Sequence, residues 1–60
     1  MNLNQMELQN LRHMIGSHCT SAEKMGTYAQ QAVDTEVKAF FQKAATDAQN
    51  TAQKLMSFLN

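Results

Sequence analysis

Proline and tryptophan are missing from this chain, cysteine occurs once and glycine only twice. Without proline nothing removes an amide donor from inside a helix or fixes a sharp turn. The single thiol, Cys19, rules out an intrachain disulfide and fits a reducing interior. The Cys-x-x-Cys and Cys-x-x-His spacings of a structural zinc site do not occur. Net charge is missing too: five basic residues balance five acidic ones, and the pI is near 6.7. Arg12, Lys24, Lys38, Lys43 and Lys54 are scattered along the chain. They form neither the basic stripe of a nucleic-acid binder nor the one-sided basic face of an anionic-membrane binder. No apolar run approaches the roughly 20 residues of a membrane span. The start, Met-Asn-Leu-Asn-Gln, lacks the basic lead and apolar centre of a signal peptide. The expectation is a protein that is cytoplasmic at synthesis, with no nucleic-acid or membrane partner.

What remains is rich in Ala, Gln, Met and Leu, all helix formers, and the β-branched residues never alternate in a strand-like run. The fold class predicted is all-α. The 60 residues form one domain, small enough that its own core supplies little stability. With no disulfide or metal motif, self-association or docking on another chain is the expected remedy.

The chain divides at Ala32-Val33-Asp34-Thr35-Glu36-Val37, where helical periodicity stops and restarts. Asp34 is a good N-cap, and Glu36 puts negative charge where the helix dipole favours it. The prediction is a helix over about residues 4–32, a hinge at 33–35 and a second helix over about 35–59. Asn2 or Asn4 caps the first, with Glu7 in its first turn.

In the first arm Leu8, Leu11, Met14, His18, Ala22, Met25, Ala29 and Ala32 recur at spacings of three and four, the pattern of one helical face. Met6 and Ile15 widen that stripe. Thr20 and Glu23 have capping-box spacing, so a break near Gly16-Ser17 would give three helices. The stripe crosses this stretch in phase, which favours one continuous helix with Gly16 as the place for any kink. The second arm carries Val37, Phe41, Ala44, Ala48, Thr51, Leu55 and Phe58, flanked by Phe40, Ala45, Ala52 and Leu59. Arms of this length are roughly 40 Å long at 1.5 Å per residue. Two of them packed together leave half of each stripe uncovered, and pairing two hairpins into a homodimeric four-helix bundle covers it.

Few side chains offer chemistry. His18 lies on the stripe, level with Ala48 and Thr51 of the second arm. It is either a metal ligand or base, or a core histidine bonded to Thr51 or to its symmetry mate, and the second is preferred. Asp47 and Asn50 share a ligand-like spacing, but their phase places them outward. Cys19 follows His18 directly, and neighbours on a helix do not face each other. The five methionines read as adaptable core filler. No nucleophile, base and oxyanion donor assemble, and no glycine-rich phosphate loop occurs. Neither an enzyme nor a cofactor is expected, and His18 and Asp47 are only weak metal candidates.

The run Tyr28-Ala29-Gln30-Gln31-Ala32-Val33-Asp34-Thr35-Glu36-Val37-Lys38-Ala39-Phe40-Phe41, followed by Ala44 and Ala45, resembles the small spore coat proteins of the coat F type. These belong to the ferritin-like helical hairpins of endospore formers, and the resemblance extends from about Leu8 to Leu59. It implies a structural or assembly role in the spore coat, with itself and other coat proteins as partners. Ferritin-like relatives often place a Glu on the first helix and Glu-x-x-His on the second. Aligned through the hinge, those positions fall on His18, Ala48 and Thr51, so the iron ligands are missing. The resemblance thus implies a member that keeps the fold without the metal. The alternatives are a ferritin-like metal protein using His18 and a small helical regulator of sporulation. The Ser-Gln-Glu-Leu-Asp run of the short response-regulator phosphatases is missing from the second arm.

Overall fold

The computed structural model describes residues 3–59, and among them there are two α-helices and no strand. Helix α1 spans Gln5–Gln31 and helix α2 spans Thr35–Met56, followed by a 3-10 turn at Ser57–Leu59. The two helices pack against each other along their length as an antiparallel hairpin.

Each helix starts at a side chain that replaces the missing amide acceptors. At α1, Asn4 Oδ1 accepts the Glu7 amide at 2.8 Å, and the Asn4 amide donates to Glu7 Oε1 at 3.1 Å. This is a reciprocal capping box. It makes Asn4 the cap; the alternative, Asn2, lies outside the described residues. At α2, one carboxylate oxygen of Asp34 accepts the amides of Glu36 at 2.9 Å and Val37 at 3.0 Å. The last turn of α1 closes through the Ala32 amide on the Tyr28 carbonyl at 2.9 Å. Ala32 and Asp34 are both extended, with φ of -69° and -73°. The chain therefore reverses without any positive φ, and the hinge needs no glycine. At the far end, α2 tightens to 3-10 where the Ser57 hydroxyl and amide both turn back on the Lys54 carbonyl.

Helix α1 runs unbroken through Gly16 and Gly26. The Thr20–Glu23 capping box does not form, because residues 20–23 lie in mid-helix with their amides already bonded. The hairpin measures 45 × 14 × 11 Å, with a radius of gyration of 14.1 Å. A compact chain of this length would have about 10 Å. The core is correspondingly thin. Only Leu11, Ala29 and Ala52 are buried among the described residues. No helix among them is long and apolar enough to cross a membrane.

Candidate dimer interface

Along α1 the stripe faces α2 as its spacing requires. Leu11 and Ala29 are buried, and Leu8, Ile15, His18, Ala22, Met25 and Ala32 are half-buried. Met14 is 43% exposed. On α2, Phe41, Ala44, Ala48 and Leu55 are half-buried, as is Phe58 in the 3-10 turn. Thr51 is exposed and Ala52, its neighbour, is almost sealed at 1%. One residue step turns a helix by about 100°, so α2 presents Ala52, not Thr51, to α1. Its apolar stripe is therefore turned away from α1 by roughly half a residue step. Val37, at the other end of the same stripe, is also exposed.

This turn gives the hairpin two unlike broad sides. On one, open grooves run between the helices at both ends. Leu3, Leu11 and Met14 face Leu55 and Phe58 at the chain ends, and Tyr28 and Ala32 face Val37 and Phe41 at the hinge. The Tyr28 and Phe41 rings meet at 5.4 Å, and Phe40 stands edge-on to Phe41 at 5.7 Å while remaining 69% exposed. On the opposite side, at mid-length, Cys19, Ala22 and Glu23 face Ala45 and Gln49, with no large apolar side chain among them.

The polar side chains singled out by sequence are occupied locally. The carbonyl oxygen of Met14 lies 2.8 Å from His18 Nδ1. A carbonyl only accepts, so Nδ1 carries the proton and donates. The expected bond from His18 to Thr51 does not form, because Thr51 donates its hydroxyl to the Asp47 carbonyl at 2.9 Å within α2. Asp47 faces Lys43, one turn earlier, at 3.4 Å on the surface. His18 and Asp47 are not brought together. No group of three or more His, Cys, Asp or Glu side chains that could hold a metal occurs among the described residues. Cys19 is free and exposed.

Comparisons with protein-family models, curated proteins and solved structures found no match. Function has to be read from the surface itself. The chain exposes 4815 Å². Size scaling gives about 3,900 Å² for a compact monomer of this mass. The excess, roughly 900 Å², is close to the ~800 Å² that each partner buries in a standard protein–protein interface. Sequence reasoning treated Ala52 as a flank of the stripe, whereas it is the most buried of the core residues. The run Ala45, Ala48, Ala52 has the same three–four spacing as Ala44, Ala48, Thr51, so periodicity alone offers both columns.

Proposed function

We propose that the protein is a non-catalytic structural component that works as a homodimeric four-helix bundle, an assembly element of the spore-coat type. The observation that carries this reading is the exposed surface beyond that of a compact monomer, together with large apolar side chains that the hairpin leaves uncovered. Tyr28, Val37 and Phe40 are each more than 40% exposed beside the hinge groove. Apolar groups at this density on one side mark an interaction surface. The polar residues support the same reading, since His18, Thr51 and Asp47 are engaged within their own helices. The likeness of the hinge run to coat F proteins supports a place among coat components, with other coat proteins as further partners.

Light scattering on untagged protein tests the assembly state. A mass of twice 6.7 kDa at micromolar concentration is expected. A folded monomer at that concentration would overturn the reading. In an endospore former carrying a tagged copy, the protein is expected in the coat extract; recovery only from the mother-cell cytosol would overturn the coat assignment.

A further inference from the structure

Helix α2 carries a line of charge that makes no ion pair with α1 among the described residues. Glu36, Lys43, Asp47 and Lys54 follow one another at steps of seven, four and seven residues. Steps of this size return to the same side of a helix. The line borders the outer edge of the side that bears Phe40, Thr51 and Phe58. Its order is acid, base, acid, base, so reading it backwards exchanges every sign. Its spacing is symmetric about position 45, because 36 and 54, like 43 and 47, are equidistant from it. Helix α2 itself, Thr35–Met56, is centred at the same place. Lys38, the fifth charged residue of α2, lies off this line, and of the four charged residues of α1 only Arg12 and Glu23 share a side.

Resting on the homodimer reading, we infer that two copies pair antiparallel through the outer side of α2, about a two-fold axis level with position 45 of that helix. Glu36 of each copy then lies level with Lys54 of the other, and Lys43 with Asp47. The surface Lys43–Asp47 pair, 3.4 Å apart within one chain, becomes half of a four-charge square across the axis. A parallel α2 pairing sets each charge against its like. Pairing α2 on the second copy's α1 offers the line no matching partners.

Val33, 99% exposed at the hinge, comes level with Ser57 and Phe58 of the second copy. There it covers the groove that Met14, Leu55 and Phe58 leave open at the chain ends. One register thus accounts for the charge order and the exposed valine.

Two full-length variants test it. Lys43→Glu with Lys54→Glu makes the line wholly acidic, and Glu36→Lys with Asp47→Lys makes it wholly basic. In low-salt buffer each variant alone is expected to dimerise roughly tenfold or more weakly than the parent. An equimolar mixture is expected to recover parental affinity as a mixed dimer, read by sedimentation equilibrium with one variant fluorescently labelled. Weakened self-association of each folded variant together with recovery in the mixture supports the antiparallel register. A dimeric parent whose variants self-associate as well as it does, or whose mixture gains nothing, overturns the antiparallel α2 pairing and leaves the homodimer standing. A monomeric parent overturns both.

Discussion

Ala52 has 1% of its surface exposed between the helices, while Thr51, next to it, points outward with its hydroxyl on the Asp47 carbonyl. The two positions should therefore answer differently to the same enlargement. Ala52→Leu has no room and pushes the helices apart, at a cost of about 1–3 kcal/mol in urea unfolding. Thr51→Leu adds apolar volume on the open side and is expected to leave stability unchanged or raise it. Equal losses at both sites would show that α2 is not turned as described. This difference was only half legible in the sequence. A three–four repeat marks which side of a helix is apolar. It does not say which of two adjoining columns meets the hairpin's own partner helix and which waits for another chain. Alanine and threonine are both small enough for either place. His18 was harder still. Its position on the stripe was readable, but its acceptor, the Met14 carbonyl, belongs to its own helix, and no pattern of side chains reveals a bond to backbone.

At the scale of the element, both helices begin at a side-chain cap; Asp34 was legible because capping is local, while Asn2 and Asn4 were equally open for α1 until the Asn4–Glu7 box decided it. Asp34→Ala removes the only side chain that accepts the Glu36 and Val37 amides. It should lower stability by about 0.5–2 kcal/mol, seen as a lower urea midpoint with an unchanged slope. An unchanged midpoint would mean that α2 starts without its cap. The interior of α1 makes the opposite prediction. A Cβ added at Gly16 meets nothing within 4 Å. The helix passes through it without positive φ, so no conformational reason for glycine exists there. Gly16→Ala is expected to raise stability by roughly 0.5–1 kcal/mol, and a loss would reveal a contact on that side. The continuity of α1 could be read from the phase of its stripe, because a loop at Gly16-Ser17 would have put Met14 and Ala22 out of step.

At the scale of the whole molecule, a rod of 45 × 14 × 11 Å with three buried residues in the described part has too little core for its length. A chain this small buries only about 60% of the surface it exposes when unfolded, even when compact. On the homodimer reading proposed above, part of the stability comes from association, and association makes the melting temperature rise with protein concentration. Phe40 separates the two contributions. It is 69% exposed and its one aromatic neighbour is Phe41, adjacent in sequence. Phe40→Ser should therefore cost the isolated hairpin little and the dimer much. Melts recorded over a hundredfold range of concentration are expected to show the parent rising steadily. The variant should fall below it at the concentrated end and converge with it on dilution. If the parent's melting temperature does not move with concentration, the hairpin stands alone. If the variant lies below the parent by the same interval throughout, Phe40 belongs to the fold of one chain, and the uncovered side is not where the second copy sits.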